Sequence, residues 1–336
     1  MNTVAAIAIL VALFAGPILL APIERNLEPY FLAVGIIAVS AARAWSIGLI
    51  IEALRAPILV TIAVVVAGVI FARFRPRLDD ALLVLRGRIA RPILTAMTVF
   101  ILAIFSSVIT GIVAAIVLAE AVGLLRLGPP SRNNVVIAGC FAIGLGSALT
   151  PAGEPLSALA ASILHLSFFD LLRWFGPWII PTIFVLSLLA GYFARGDYDL
   201  IAEEAAVRET IDDALLQGAR IFIFVAGLVL VGRAFEPQAE QWLLPLGRSG
   251  LFWANTISAA LDNATLVALE ARAIGVDGLP WAIASLLIAG GILIPGNIPN
   301  IVCAGKLGIR SLEWARLGIP LGLVMLGIAF AILRLS

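Results

Sequence analysis

The sequence predicts an all-α polytopic membrane protein made of two inverted repeats, each with a re-entrant hairpin and a broken transmembrane helix. Three observations predict it. First, 62% of the 336 residues are hydrophobic and 13% are charged, whereas a soluble domain carries about 25% charged and 45–50% apolar residues. So few charges cannot cover a water-facing surface of this size. Second, polar and helix-breaking residues interrupt long apolar stretches twice in each half. The first half has Phe105-Ser106-Ser107-Val108-Ile109-Thr110-Gly111 and Thr150-Pro151-Ala152-Gly153-Glu154-Pro155; the second has Ile257-Ser258-Ala259-Ala260-Leu261-Asp262-Asn263 and Pro295-Gly296-Asn297-Ile298-Pro299-Asn300. Third, the order of element types is the same in both halves. In lipid a break exposes backbone groups that no water satisfies, so it persists only beside a cavity or a site. Two matched pairs of breaks point to a transporter whose site lies between two repeats.

Taken in order, Thr3–Pro22 is long enough to span and lacks the basic flank of a cleaved signal. Further spans are expected at Pro29–Ala42, with an interfacial continuation to Leu54, and at Pro57–Phe71. The stretch from Arg73 to Arg91 holds Arg73, Arg75, Arg77, Arg86, Arg88 and Arg91, which places it in the cytoplasm by the positive-inside rule. Pro92–Leu125 then reads as a hairpin with arms of about 13–16 residues, too short to span but able to reach the midplane. Val135–Leu166 is a broken helix and Leu171–Ala194 a span. Arg195–Gln217 carries seven acids against Arg195 and Arg208 and reads as a water-exposed linker helix. Gly218–Val231 opens the second half. Leu251–Ile274 is its hairpin, Leu279–Gly305 its broken helix and Leu312–Leu335 its closing span. The expected organisation is thus 1–56 (two N-terminal transmembrane helices), 57–194 (repeat 1), 195–217 (polar cytoplasmic linker) and 218–336 (repeat 2). About eight full crossings and two hairpins put both ends outside the cytoplasm, and Lys306, Arg310 and Arg316 inside.

Composition also excludes functions. Net charge is +1, so a nucleic-acid partner is not expected. Cys140 and Cys303 stand alone in apolar stretches and read as packing residues, neither a disulfide nor a metal site. His165 reads as a loop residue. Two intramembrane acids invite comparison with an aspartyl protease, but the Gly-x-Gly-Asp element is missing and Gly196-Asp197 falls in the linker. The chain is therefore not expected to be an enzyme or to hold a cofactor beyond a coupling Na+ or H+.

The chemistry is expected at Glu154 and Asp262. A charge at the bilayer centre costs at least about 2.5–3.5 kcal/mol, so an acid placed there has a function by default. At a helix break, freed carbonyls create a negative field and freed N–H groups a positive one. A carboxylate with carbonyl, hydroxyl and amide oxygens makes a hard-cation site, and Ser106, Thr110, Thr150, Ser258, Asn263, Asn297 and Asn300 supply those oxygens. Na+ would bind at Glu154, Asp262 and Asn263. Gly153 and Gly296 allow backbone angles other residues avoid, while Pro151, Pro155, Pro295 and Pro299 remove donors and enforce the breaks. Each half supplies one acid, from opposite kinds of element. The N–H side would instead favour an anion, and Asn297 and Asn300 keep that alternative open. Glu120 and Glu270, on the return arms, are secondary candidates for the ion's path.

At these residues the chain resembles the ion transporter superfamily of arsenite pumps, D-type sodium–proton antiporters and divalent-anion/sodium symporters. Ser258-Ala259-Ala260-Leu261-Asp262-Asn263 resembles the hairpin motif of the antiporter branch. Thr150-Pro151-Ala152-Gly153-Glu154 resembles that branch's Ser-Pro-x-Gly-Asp break, with Glu in place of Asp. Gly290-Gly291 with Pro295-Gly296-Asn297-Ile298-Pro299-Asn300-Ile301 is similar to the superfamily's second break. The overall likeness is greatest to a small uncharacterised family described as predicted cation transporters. The resemblance implies a scaffold part, a transport part that moves as a unit, and a homodimer. It implies Na+/H+ exchange, with Na+-coupled symport of a small anion as the alternative; the paired Ser-Asn-Thr motifs of dicarboxylate symporters are absent. The expected partners are a small inorganic ion and membrane lipid, and the expected location is a prokaryotic inner membrane.

Overall fold

The computed structural model describes residues 1–58, 89–195, 211–256 and 280–335, less 21–22, 24–25 and 164, with short helical pieces between them such as 61–62 and 65–66. Every regular element among them is helical. Four helices are long and apolar enough to cross a membrane: Arg91–Ile109, Asp170–Phe193, Gly218–Gln238 within a longer helix, and Ser311–Leu335. Shorter apolar helices accompany them. The chain is a helical integral membrane protein.

The elements are α1 (Thr3–Leu19), α2 (Leu27–Ala42), α3 (47–58), α4 (Arg91–Ile109), α5 (Gly111–Leu124), α6 (Pro129–Ser147), α7 (Pro155–Ile163), α8 (Asp170–Phe193), α9 (Ile211–Leu243), α10 (Gly247–Ala254), α11 (Pro280–Ile292), α12 (Ile298–Leu307) and α13 (Ser311–Leu335). They pack mainly as two groups. In the first, α2 lies along α9 at backbone contact: a Cβ on Gly35 would fall 2.7 Å from the Gly227 carbonyl oxygen. The Tyr30 hydroxyl donates to Ala12 O at 2.7 Å, tying α1 to α2, and Arg233 meets Glu52 at 3.2 Å, tying α3 to α9. In the second group, α4 packs on α6 and α8, and α5 packs on α6 and α12.

Contacts fix the direction of each helix. Pro92 faces Gly191 and Phe100 faces Phe184, so α4 and α8 are antiparallel. Gly111 faces Ser147 and Leu118 faces Gly139, so α5 and α6 are antiparallel. Cys303 bonds to Ala115 O and Lys306 to Glu120, so α12 runs with α5 and against α6. Trp281 packs on Phe330 while Ile292 packs on Gly318, so α11 runs against α13.

The first hairpin arm is longer than expected and the second is as expected. α4 has 19 residues and α5 has 14, about 28 Å and 21 Å of helix. The turn lies at Thr110, one helical turn beyond Ser106-Ser107. The physical reason is local: the Ser106 and Ser107 hydroxyls donate to Ala103 O and Ile104 O. They fold back onto their own helix instead of ending it.

Candidate functional site

Thr110 joins the two arms with φ 77° and ψ 147°, a conformation that β-branched residues rarely adopt. Its hydroxyl accepts from Val113 N, and the Gly111 amide donates to Gly153 O at 3.1 Å. One of the N–H groups orphaned at the start of α5 is thereby satisfied. The same bond pins the hairpin turn to the first helix break.

That break runs from Ala148 to Glu154, between α6 and α7. Thr150 organises it: its hydroxyl donates to Ser107 O and accepts from Ala152 N. Gly153 lies so close to the end of α6 that a Cβ would fall 2.0 Å from Ser147 O. Glu154 follows and leads into α7, its carbonyl accepting from Ala158 N at 3.1 Å. The Ser147 hydroxyl lies 3.0 Å from Glu154 Oε2 and 2.9 Å from Gly144 O. One hydroxyl proton serves two acceptors. Either Ser147 donates to an ionised Glu154, or a protonated Glu154 donates to Ser147 and Ser147 donates to Gly144 O. The other carboxylate oxygen, Oε1, is buried with no hydrogen-bond partner among the described residues.

The second break is a single turn, Ile294–Gly296, followed by an extended Asn297. The Asn300 amide spans it, donating to Gly290 O at 2.8 Å and Leu293 O at 2.9 Å. Carbonyls freed at the end of α11 are thereby paired. Asn300 Oδ1 is buried and, like Glu154 Oε1, has no partner among the described residues. The breaks of the two halves meet. A Cβ on Gly144 would fall 3.1 Å from Asn297 Nδ2, and one on Gly111 would contact both Ser147 and Pro299. A Cβ on Gly291 would fall 2.3 Å from the Phe141 ring. Small residues here let α6 and the second break approach closely enough to bring Ser147, Glu154 and Asn297 into one region.

The expected site residues therefore divide. Glu154, Gly153, Asn297 and Asn300 converge at the meeting of the breaks. The Ser106 hydroxyl shares its one proton between Ala103 O at 2.7 Å and Ile143 O at 3.1 Å, so it is taken up within α4 and at its contact with α6. Thr110 and Thr150 are committed to capping. Gly153 and Gly296 are not at positive φ, which corrects the expectation from backbone angle; Gly153 is required because no side chain fits. Ser258, Asp262, Asn263 and Glu270 lie outside the described residues. No group of three or more His, Cys, Asp or Glu side chains is placed to hold a metal among the described residues.

Sequence reasoning missed Ser147 as a partner of Glu154. The signal present was Gly144-Leu145-Gly146-Ser147, small residues that mark close approach just before the break. A Cβ on Gly146 would fall 1.8 Å from Ala103 O. Cys140 and Cys303 are free and buried, as expected of packing residues, and each ties two helices together: the Cys140 thiol donates to Pro299 O across α6 and α12, and the Cys303 thiol to Ala115 O across α12 and α5. Lys306, expected only as one of the residues on the cytoplasmic side, has a side chain 8% exposed and paired with that of Glu120, 7% exposed.

No curated protein matches this chain. A family model described as "Protein of unknown function (DUF1646)" matches residues 3–335. The match extends over both breaks, the α5–α12 seam and the α2–α9 pair, and the chain belongs to the DUF1646 family.

Proposed function

We propose that the protein is a secondary active transporter of a small cation, exchanging Na+ for H+ by alternating access in a prokaryotic inner membrane. The observation that carries this is Glu154: a carboxylate at a helix break, bonded to Ser147 through one oxygen, with the other oxygen buried and unpartnered among the described residues. An unpaired ionised carboxylate is unfavourable in such surroundings, and either a proton or a cation removes the deficit. One acid can then hold the two ions alternately, which is the minimum chemistry of an exchanger. Asn300 Oδ1 offers a second such acceptor from the other half. Asp262 and Asn263, outside the described residues, are proposed as the further cation ligands. The proposed arrangement is an inverted repeat with a re-entrant hairpin in each half; the turn at Thr110 between α4 and α5 supports the hairpin of the first half.

The test is purified protein in liposomes carrying a trapped pH dye. Adding Na+ should move protons in the opposite direction, and Glu154→Gln should abolish the movement. Intact exchange in that variant would sink the assignment. One observation favours the alternative, a Na+-coupled symporter of a small anion. Asn297 stands at the N-terminus of α12 and makes no side-chain capping bond, leaving its amide for an anion at the positive end of the helix. That mechanism requires labelled anion and Na+ to enter together.

A further inference from the structure

The ion pair between Glu120 and Lys306 is not used by the proposed exchange chemistry, yet its placement is tied to the site. Glu120 is on α5 and Lys306 on α12. α5 begins at the hairpin turn and α12 begins at the second break. The two helices run the same way from the meeting of the breaks, with Cys303 packed on Ala115 O along the seam. Both charged side chains are buried, at 7% and 8% exposure. Of the 22 basic residues, Lys306 is the only Lys, and it is spent here. The ion pairs Arg173–Asp170 and Arg310–Glu313 in the same group of helices are solvent-exposed, so water screens them.

We propose that the Glu120–Lys306 pair sets the charge of the site-bearing helices, so that the site changes sides of the membrane only when it is filled. This rests on the exchange mechanism proposed above. Within the pair the charges cancel, and Glu154 alone alternates between charged and neutral. With the site empty, an uncompensated charge must move through a low-dielectric region; with Na+ or H+ bound, it does not. A unit charge at that depth makes crossing about 100-fold rarer. The empty site is thereby held back, and Na+ movement is tied to H+ movement. In this scheme Asp262 stays protonated and adds no charge to the total.

The signs of the two single substitutions are opposite, which a purely structural pair would not show. Glu120→Gln adds one positive unit, so the empty site becomes able to cross. Its Na+-filled site carries the extra positive unit, so Na+ should run down its gradient without proton counterflow, at least about tenfold more slowly than native exchange and faster under an imposed inside-negative potential. Lys306→Gln adds one negative unit, so the filled site becomes charged and exchange should fall at least about tenfold. Glu120→Gln with Lys306→Gln restores neutrality and should return coupled exchange. Lys306→Arg keeps the charge and should stay coupled.

The experiment is native protein and these variants in liposomes, with radioactive Na+, a pH dye and a voltage dye read together. Size-exclusion profiles confirm folding, and the double and Lys306→Arg variants carry the test if a single variant fails to fold. Sodium flux freed from protons in Glu120→Gln, with recovery in the double variant, supports the proposal. Coupled exchange in Glu120→Gln, no recovery in the double variant, or uncoupled flux in Lys306→Arg overturns it while leaving the exchange mechanism standing. Absence of Na+/H+ exchange in native protein overturns both.

Discussion

Ser147 and Glu154 lie seven residues apart in sequence and 3.0 Å apart in space, joined across the first helix break. The hydroxyl reaches the acid because the break folds Gly153 back against Ser147 O. A side chain on the last turn of α6 is therefore bonded directly to a carboxylate just before α7.

Ser147→Ala removes the donor that favours ionised Glu154. A hydrogen bond to a charged group contributes about 1.5–3 kcal/mol, so apparent Na+ affinity should fall about tenfold or more. The Na+ dependence of proton movement in liposomes measures it. Unchanged half-saturation would show that Ser147 does not contact the ion-binding form.

Glu154→Asp keeps the charge but withdraws it by one methylene from Ser147. Exchange should persist with a weaker dependence on Na+, while Glu154→Gln should be silent and equally stable to heat. Equal activity in Asp and Gln variants would place the exchanging acid elsewhere.

Two glycines are held by space. Gly146→Ala and Gly153→Ala each drive a methyl into backbone, at 1.8 Å from Ala103 O and 2.0 Å from Ser147 O. Each should destabilise by about 1–3 kcal/mol or more. Gly305→Ala, in a helix with nothing within 4 Å, should be neutral or stabilising by up to about 1 kcal/mol. Thermal unfolding in detergent separates the two classes, and a uniform response would refute the close approach.

Thr110 holds φ 77°, a conformation that costs a non-glycine residue about 1–3 kcal/mol. Thr110→Gly should relieve that strain and raise the unfolding midpoint, since the hydroxyl's capping bond to Val113 N is long at 3.5 Å. Transport should slow in the same variant as the turn loses its fixed angle. A lowered midpoint would mean the capping bond outweighs the strain.

α8 runs against α4, so the Ser167 turn before α8 and the Arg310 turn before α13 belong to opposite ends of the helices. Ser167→Cys should react with an impermeant maleimide from outside the cell and Arg310→Cys only from inside, both in a Cys140→Ala, Cys303→Ala background. Labelling of both from one side would contradict the eight-crossing topology.

How legible this was in the sequence depends on how local each feature is. The first break was readable because Pro151, Gly153, Glu154 and Pro155 combine a missing donor, a small residue and a charge within a few positions. The hairpin turn falls at Thr110, inside the expected break 105–111 but at its far end, because Ser106 and Ser107 look like breakers yet stay within the helix. The partnerships of Cys140 with Pro299 and of Glu120 with Lys306 left no local trace; they join residues more than 150 positions apart, through a crossing that periodicity does not encode. Ser147 was hidden for a subtler reason: a serine after a run of Gly and Ala reads as small packing, and its role appears only once the break folds back on it.

The contact between Cys140 and Pro299 O joins residues 159 positions apart, and that between Cys303 and Ala115 O joins residues 188 apart. During synthesis the ribosome must therefore deliver nearly the whole chain before Glu120 meets its lysine or the first break gains its cover. A nascent first half enters the bilayer with its polar interior exposed to lipid or to insertion machinery. Truncated chains should thus be degraded in the cell rather than accumulate as half-carriers, and the interval before Lys306 emerges is the point at which assembly is most vulnerable.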